Sequence, residues 1–403
     1  MAETLHISAS AFDDSDEYRP EPTPEPQAAA WCDGSIRVGI HTSIAGDIAG
    51  ALDSARKLGC NALQIFSASP RMWPRPGSRI PEADAARFRT RRAELGLGPL
   101  VIHANYLINL ATSEPVMRVR AIQAFHDEMV RATDLGADYL VVHPGSAGDS
   151  DRTQAAQAVG EGIHQAARGI RFTDGAFDSL QRGGLRVLIE NTSGMGSALG
   201  TRFEELRIIL DAITDVPVGV CIDTAHAFEA GYEITTEAGL SRTIDALDST
   251  VGLSRVAVIH VNDSKTPFGS RVDRHENVGK GHIGLDAFRR ILNHPRLSVA
   301  APQGRPGRAF ILETPIDAPG DDRRNVRTVW ELAGVDAKQA PQAEDGFSMV
   351  RAASRLTSPQ PVPSKKASSS EPKRPVKAAP NARVRALRKA PTKNKKSPAK
   401  RKG

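Results

Sequence analysis

The sequence is poor in cysteine, in aromatic residues and in long apolar runs. Of its 403 residues only three are cysteines, Cys32, Cys60 and Cys221, and no two of them form a CxxC pair. A disulfide framework and a cysteine zinc finger are therefore not expected, and a reducing cytoplasm is predicted. No apolar run is long enough to cross a bilayer, and the N-terminus lacks the basic and apolar regions of a secretory signal.

Charge is distributed unevenly, although the whole chain carries a formal net charge of only +6. Residues 1–30 contain seven acidic residues and one basic residue, whereas residues 351–403 contain seventeen Lys or Arg and one acidic residue. Neither end has enough large apolar residues to offset the entropy of ordering the chain. The sequence therefore predicts a disordered acidic, proline-rich extension at 1–34, a folded domain at 35–340, and a disordered basic tail rich in Lys, Pro and Ala at 350–403.

Between these ends, short apolar runs alternate with stretches of helical period. Eight nearly continuous apolar runs have the pattern of parallel strands that are buried on both faces. They lie at residues 37–43, 62–67, 99–105, 138–144, 185–191, 218–224, 256–262 and 309–315. Amphipathic stretches predict helices at 47–59, 117–136, 153–169, 201–213 and 285–294. The alternation favours an α/β fold, a (β/α)8 TIM barrel, over a doubly wound open sheet, which usually has fewer strands and often a glycine-rich first turn that is missing here.

The polar residue that closes each predicted strand is informative, because the strand ends of a barrel meet at one mouth. In chain order these residues are His41, Ser67, His103, His143, Glu190, Asp223, His260 and Glu313, and nearby loops add His226, Asp273 and His275. A single His at such a position is usually a packed residue, and a single Glu or Asp can cap a helix. Carboxylates crowded together raise one another's pKa, however, and divalent metal ions relieve that repulsion. The combined pattern therefore predicts a metal centre.

The types of candidate ligand indicate which metal is preferred. Several imidazoles with several carboxylates suit Zn, Mn or Fe better than Mg or Ca. The number of candidates implies more than one ion, and neighbouring metal ions are a common device for hydrolysing phosphodiesters. Cys221, two residues before Asp223 on the same strand face, is a further candidate that the centre does not need.

Longer motifs around these residues resemble the endonuclease IV family of apurinic/apyrimidinic (AP) endonucleases. The matching strings are HANYLINL (103–110), VVHPGS (141–146), IENTSGMGSALG (189–200), GVCIDTAHAFEAGY (219–232), HVNDSKTPFGSRVDRHENVGKGHIG (260–284) and ILETP (311–315). They occur in order along essentially the whole predicted barrel. The resemblance implies a xylose-isomerase-like TIM barrel with a trinuclear zinc centre.

The zinc ligands implied by the resemblance can be assigned position by position. The first zinc takes His103, His143 and Glu190, the second takes Glu190, Asp223, His260 and Glu313, and the third takes His226, Asp273 and His275. Every position carries the residue type that the family uses. Glu190, Asp223 and Glu313 are implied as catalytic carboxylates, and Mn²⁺ is a substitute for Zn²⁺.

The implied reaction is hydrolysis of the DNA backbone on the 5′ side of an abasic site, which leaves a 3′-hydroxyl and a 5′-deoxyribose phosphate. Removal of 3′-phosphate and 3′-phosphoglycolate groups is implied as well. Family members probe the lesion with an Arg and a Tyr-Leu pair, which match Arg71, Tyr106 and Leu107. A planar or apolar wedge suits a base stack already weakened by a missing base. The ordinary alternative is that Tyr106 and Leu107 pack on the rim and that Arg71 is solvated.

Two other classes of function remain open. The first is a metal-dependent sugar isomerase or epimerase on the same barrel, which needs fewer ligands and would leave His226, Asp273 and His275 without a role. The second is a non-catalytic packaging protein that binds nucleic acid through its tail. Such a protein would be expected to have lost some of the metal-ligand positions, yet this sequence keeps all of them. The favoured expectation is a base excision repair enzyme for double-stranded DNA with abasic or 3′-blocked lesions. It would act as a monomer in the cytoplasm, associated with the nucleoid and not with a membrane, and its tail would add non-specific DNA contacts.

Overall fold

The computed structural model describes residues 36–170, 172, 184–298, 308–336 and 339–349. The predicted extension at 1–34 and the predicted tail at 350–403 lie outside the described residues. The chain divides into two units, Met1–Ser358 and Pro359–Gly403, and all of the described residues lie in the first.

The described residues contain a closed barrel of eight parallel strands, which confirms the predicted TIM barrel. The strands are β1 (Arg37–His41), β2 (Ala62–Phe66), β3 (Leu100–His103), β4 (Tyr139–Val142), β5 (Arg186–Glu190), β6 (Val218–Asp223), β7 (Val256–His260) and β8 (Ala309–Leu312). Each strand pairs with the next in the chain, and β8 pairs with β1 to close the barrel. All eight strands lie within the predicted apolar runs. Their nearly complete burial on both faces explains why those runs are continuous.

Helices surround the barrel on its outside. They are α1 (Gly50–Lys57), α2 (Glu82–Leu95), α3 (Pro115–Asp134), α4 (Arg152–Ala166), α5 (Phe203–Asp211), α6 (Thr224–Ala230), α7 (Glu237–Thr250), α8 (Leu285–Asn293) and α9 (Asp321–Leu332). The predicted helices correspond to α1, α3, α4, α5 and α8. The start of α3 follows from its sequence, because Pro115 occupies the first turn and the Glu114 carboxylate accepts the backbone N–H groups of Val116 and Met117. Across the described residues, none of the helices has the length and apolarity that a membrane span requires.

The barrel interior is filled by its own small core. Its residues include Ala62, Val101, Tyr139, Val141, Leu188, Cys221, Val258 and Ile311. A larger apolar layer lies between the strands and the surrounding helices. The apolar core fills the interior, so the polar side chains that close the strands lie above it, at the carboxyl end of the barrel.

A register shift between β6 and β7 aligns two of the predicted site residues. Pairing passes from Val220–Val256 to Cys221–Val258, so Ala257 is an extra residue on β7. After the shift, Asp223 lies directly opposite His260. Such bulges are common near active sites because they redirect side chains. Here the bulge places an imidazole and a carboxylate side by side at the mouth.

Candidate metal centre

The structure brings the nine predicted ligand residues together at the carboxyl end of the barrel. Three overlapping groups have candidate ligand atoms within 4.8 Å of one another, and they share Glu190 and Asp223. The groups are His103, His143 and Glu190; Glu190, Asp223, His260 and Glu313; and Asp223, His226 and His275. Asp273 lies beside the third group, with its Oδ2 atom 3.2 Å from His226 Nε2. The first two groups contain the residues of the implied first and second sites, whereas the third contains Asp223 in place of Asp273.

Glu190 is at the centre of the cluster. Its side chain is fully buried, and its Oε2 atom lies 3.3 Å from His103 Nε2 and 3.0 Å from His143 Nε2. Its other oxygen, Oε1, lies 3.0 Å from His260 Nδ1 and 3.5 Å from His226 Nδ1. One carboxylate therefore faces four imidazoles, so a single side chain connects the first group to the second.

The second group is built by the ends of four neighbouring strands, β5 to β8. His260 Nδ1 lies 3.3 Å from Glu313 Oε2 and 3.7 Å from Asp223 Oδ2. The other oxygen of Asp223, Oδ1, accepts the backbone N–H of His226 and so caps the short helix α6. One oxygen of Asp223 therefore caps a helix, as the sequence allowed, and the other faces the cluster.

The third group depends on a small hairpin after β7. Two short antiparallel strands, Asp263–Ser264 and His275–Glu276, hold the loop that carries Asp273 and His275. Within the described part of the chain, His275 Nε2 is buried without a hydrogen-bond partner. It lies 3.7 Å from Asp223 Oδ2 and 3.7 Å from Asp273 Oδ1. A buried imidazole nitrogen between two carboxylates, at distances too long for hydrogen bonds, fits a metal ligand.

Four imidazoles each have one ring nitrogen that points away from the cluster and faces an oxygen acceptor. This contact fixes which ring nitrogen carries the proton and which one is free to face the cluster. The pairs are His103 Nδ1 with Ala104 O at 2.8 Å, His226 Nδ1 with Asn191 O at 2.9 Å, His260 Nε2 with Gln64 Oε1 at 2.9 Å, and His275 Nδ1 with Glu313 O at 3.3 Å. A carbonyl oxygen can only accept, so each of these nitrogens carries the proton when the ring is neutral. The second nitrogen of each ring then has a free lone pair, as metal-binding histidines require.

The electrostatics of the cluster suit divalent ions. Burial alone would raise the pKa of Glu190, but His143 and His260 lower it well below its ordinary value. Burial would likewise raise the pKa of Glu313, yet the charge of His260 and the hydrogen bond to His41 lower it. In the opposite sense, Asp223 and Asp273 outweigh burial and raise the pKa of His226 well above its ordinary value. Protonated imidazoles therefore balance the carboxylates in the metal-free protein, and a bound cation would take over that charge and release protons.

Three strand residues from the sequence pattern lie outside these ligand groups. Ser67 faces helix α3, where it hydrogen-bonds Glu128 and Arg131. His41 lies beside the cluster, and its Nδ1 atom accepts from the Gln64 amide at 3.0 Å. Cys221 is close enough to Glu190 and His260 to form a further group, but burial raises the pKa of its thiol to about 12. Since the thiolate is the ligand form, Cys221 is poorly suited to the role.

The sequence pattern did not identify three buried amide side chains that position the ligands. Gln64 hydrogen-bonds His260, His41 and Glu313. Asn262 donates to Asp223 Oδ2 at 2.6 Å and accepts the backbone N–H of Glu313 at 2.8 Å. Asn191 joins β5 to β6 by accepting the backbone N–H of Asp223 at 2.7 Å. Asn191 and Asn262 closely follow predicted ligands in the sequence, which is the only signal that pointed to them.

The candidate DNA-contacting residues lie on two connected loops at the same end of the barrel. Arg71 is exposed, whereas Tyr106 and Leu107 are half-buried. The Tyr106 ring lies 5.5 Å from the His103 ring and 6.3 Å from the His143 ring, measured between centroids. The buried Asn105 amide donates to the carbonyls of Ser69 and Met72, both at 2.8 Å, and so holds the chain on either side of Arg71. The three candidates therefore form one surface next to the cluster.

Comparison with known proteins identifies the family. Residues 52–330 match the xylose isomerase-like TIM barrel family. "Probable endonuclease 4" of Solibacter usitatus is 46% identical over 303 residues, which cover 74% of this chain and 97% of the relative. The same protein of Methanosphaerula palustris is 39% identical over 302 residues, covering 74% and 98%.

Solved structures agree with this assignment. The crystal structure of endonuclease IV from Thermus thermophilus is 39% identical, with a TM-score of 0.62, and the match covers 74% of this chain and 99% of that one. A D-tagatose 3-epimerase-like protein, at 16% identity and a TM-score of 0.53, shares the fold alone. This chain belongs to the endonuclease IV family of the xylose isomerase-like TIM barrels.

Proposed function

We propose that this protein is a zinc-dependent AP endonuclease of base excision repair. It hydrolyses the phosphodiester on the 5′ side of an abasic site and leaves a 3′-hydroxyl and a 5′-deoxyribose phosphate. The same site removes 3′-phosphates and 3′-phosphodiester remnants. The observation that carries the proposal is the cluster of nine His, Asp and Glu residues in three groups joined by Glu190 and Asp223, in a chain of the endonuclease IV family.

Three Zn²⁺ ions per chain fit the donor set, and Mn²⁺ is a substitute with the same ligand preference. The first site uses His103, His143 and Glu190; the second uses Glu190, Asp223, His260 and Glu313; the third uses His226, Asp273 and His275. Imidazoles mixed with carboxylates match the ligand preference of zinc, and the unpartnered His275 Nε2 supports this occupancy. When bound, zinc ions supply Lewis acidity and lower the pKa of water.

The chain's own residues supply position and charge. Glu190, Asp223 and Glu313 are assigned as the catalytic carboxylates, because all three belong to the second group and Glu190 and Asp223 each belong to two groups. The deep burial of Glu190 and Asp223 excludes water from their surroundings and strengthens their interactions with the reacting group.

Recognition of the lesion is assigned to the exposed surface beside the cluster. Arg71, Tyr106 and Leu107 contact double-stranded DNA at the abasic or 3′-blocked lesion, where a base is missing from the stack. Connection of their two loops through Asn105 supports a shared role. The basic tail adds non-specific contacts with phosphates, and the enzyme acts as a monomer in the cytoplasm, on the nucleoid.

Incision of a duplex containing one tetrahydrofuran abasic analogue tests the proposal. The analogue has no aldehyde, so a lyase cannot cleave it. Native protein is expected to cut it 5′ to the analogue and to leave a 3′-hydroxyl, to lose activity on metal removal, and to regain activity with Zn²⁺. An undamaged duplex and a Glu190→Gln variant are the controls.

The same experiment separates the alternative functions. A folded protein that carries three zinc ions and leaves the duplex intact would contradict the proposal. Uncut duplex together with only one or two metal ions per chain would favour a sugar isomerase or epimerase. DNA binding with no bound metal would favour a packaging protein.

A further inference from the structure

One face of helix α3 carries a row of charged side chains. The row consists of Arg120, Asp127, Arg131 and Asp134. Because these residues are separated by seven, four and three positions, they lie on the same side of the helix. All but Arg120 are buried, and so is Glu128 next to the row. Charged groups are costly to bury unless they are paired, so their partners show what this face of α3 holds in place.

The partners lie in residues 68–80, the segment between β2 and α2 that carries Arg71. We call this segment the Arg71 loop. It contains neither helix nor strand, and Arg71 itself is exposed. Asn105 holds the first part of the loop through the carbonyls of Ser69 and Met72. The second part is held by α3.

Four contacts join the second part of the Arg71 loop to the charged row. The guanidinium carbon of Arg120 lies 4.3 Å from the centre of the Trp73 ring, Asp127 Oδ2 accepts the backbone N–H of Gly77 at 3.0 Å, Arg131 Nη1 donates to Ser78 O at 3.1 Å, and Asp134 Oδ2 accepts from Arg79 Nε at 3.3 Å. The contacts follow the same order along the loop and along the helix, so the loop runs beside the helix. Hydrogen bonds to charged groups are stronger than neutral ones, and a cation is attracted to the face of a tryptophan ring. The Arg71 loop is therefore fixed at four points between Trp73 and Arg79.

The charged row is itself anchored to the end of β2. Arg131 Nη2 lies 3.1 Å from Glu128 Oε1. Ser67 Oγ donates to Glu128 Oε2 and accepts from Arg131 Nε at 2.8 Å. Ser67 closes β2 and directly precedes the Arg71 loop. A buried network of paired polar groups is rigid, so α3 holds the loop at its root as well as along its second part.

This anchoring bears on recognition of the lesion. A loop that is ordered before DNA arrives does not lose conformational entropy on binding, and such a loss otherwise weakens affinity. We propose that the charged row of α3 preorganises the Arg71 loop, so that Asp127 and Arg131 are positioning residues for Arg71 and increase the preference for the lesion over undamaged duplex. The inference rests on the proposed function, because it requires Arg71 to contact DNA at the lesion.

Two substitutions loosen the loop at different points. Asp127→Ala removes the partner of the Gly77 backbone N–H, whereas Asp127→Asn keeps an oxygen that can accept from it. Arg120→Ala removes the contact with Trp73, and because Arg120 is exposed, this variant is expected to fold even where a buried substitution does not.

Asp138→Ala is the matched control. Asp138 lies directly before β4, at the amino end of the barrel and so opposite the mouth. Its Oδ2 atom accepts the backbone N–H of Leu100 at 2.7 Å and pairs with Arg92. The control therefore removes hydrogen bonds of the same kind as Asp127→Ala without touching the Arg71 loop.

The measurement is steady-state incision by the full chain of a duplex that contains one tetrahydrofuran analogue. Undamaged duplex of the same sequence is added as a competitor, and its inhibition constant reports the affinity for DNA without a lesion. Asp127→Ala and Arg120→Ala are also combined with Arg71→Ala, so that double-mutant cycles measure the coupling of each residue to Arg71. Zinc content and unfolding temperature are measured on the same samples.

The effect is expected in KM for the damaged duplex. Asp127→Ala should raise KM about tenfold, because ordering even one residue of the loop on binding costs about this factor. Arg120→Ala should raise KM about two- to fivefold. The values of kcat, zinc content and the inhibition constant of undamaged duplex should stay within about twofold of wild type. In the Arg71→Ala background, neither substitution should raise KM further.

The control variants separate positioning from general stability. Asp127→Asn should keep a KM close to that of wild type, and Asp138→Ala should lower the unfolding temperature without changing KM. Unchanged KM in folded Asp127→Ala and Arg120→Ala proteins would overturn the inference. So would equal increases with and without Arg71, or an equal increase in Asp138→Ala. Wild-type protein that carries three zinc ions and fails to incise the duplex would instead refute the proposed function, before any variant is compared.

Discussion

Gln64 is expected to control zinc affinity although it is not a candidate ligand. All of its polar atoms are used: Oε1 accepts from His260 Nε2 at 2.9 Å, and the amide group donates to His41 Nδ1 at 3.0 Å and to Glu313 Oε1. It lies in the middle of β2 and is fully buried. Replacing it with methionine keeps a similar length and removes every one of these hydrogen bonds.

The size of the effect follows from those contacts. Gln64→Met leaves the His260 N–H and the His41 nitrogen without partners in a buried site, at a cost of about 1–3 kcal/mol for each group. It also releases the constraint that keeps His260 Nδ1 directed at the cluster. Loss of such outer partners typically weakens metal binding by about 10–100-fold. Zinc affinity, measured by competition with a chelator, should fall by this factor, and metal-free protein should unfold at a lower temperature.

A matched substitution separates this effect from loss of any glutamine. Gln165 on α4 is exposed and lies outside the cluster. Gln165→Met should change the stability by no more than about 0.5 kcal/mol and leave zinc affinity unaltered. Unchanged zinc affinity in a folded Gln64→Met protein would refute the reasoning, since it would mean that the hydrogen bond from His260 Nε2 to Gln64 is not needed to orient His260.

Three further substitutions test other parts of the site. Glu190→Gln removes the carboxylate shared by two groups. The number of zinc ions per chain, measured by mass spectrometry, should therefore fall below that of wild type, and the rate of incision should drop by about 10²–10³-fold or more. Full metal content with normal incision would contradict the central role of Glu190. Asn105→Ala removes the two hydrogen bonds beside Arg71. Affinity for a duplex with an abasic site, measured by fluorescence anisotropy, should therefore weaken about tenfold or more, while the zinc content stays the same. A parallel loss of zinc would instead indicate damage to the cluster. Glu205 holds the loop after β5 through Arg152, and although burial opposes it, Arg152 lowers the pKa of Glu205 below 4.5. The stability that Glu205 contributes is thus present in full above pH 4.5 and is lost as pH falls through its lowered pKa, so denaturant curves of wild type and Glu205→Gln should converge at acid pH; a constant difference would contradict the assignment.

The strands and the mouth residues could be predicted because each left a local trace in the sequence. A parallel strand buried on both faces must be apolar throughout, and its end must be the first place where a polar residue is tolerated. Helices were harder to predict where burial is slight. In α2 only Ala85 and Phe88 are buried, so its charged sequence shows no apolar stripe. Helix α9 was missed for a different reason, because the first residues of its buried face are polar (Asp321, Asp322 and Asn325) and the buried apolar residues begin only at Val326.

What the sequence could not predict depends on contacts between distant residues. Gln64 looks like an isolated polar residue inside an apolar strand, and its partners lie 23, 196 and 249 residues away. His41 closes its strand as the candidate ligands do, yet it lies outside their groups, where it hydrogen-bonds Gln64 and pairs with Glu313. The alignment of Asp223 with His260 depends on the extra residue Ala257, and no apolar pattern marks a bulge of one residue.

The third ligand group gives the strongest physical argument for phosphodiester hydrolysis over sugar isomerisation. His226, His275 and Asp273 form no part of the first two groups, and burying such groups near Asp223 without a cation would be costly. His275 Nε2 has no hydrogen-bond partner among the described residues, so without a metal ion that cost is offset only when the ring is protonated and pairs with Asp223 and Asp273, each 3.7 Å away. A third metal ion would offset it, and three adjacent cations suit the spread charge of a phosphate in displacement better than the single hydroxyl and carbonyl of a sugar. His275 Nε2, a buried nitrogen without a hydrogen-bond partner among the described residues, is therefore the feature of the site that most directly favours a nuclease.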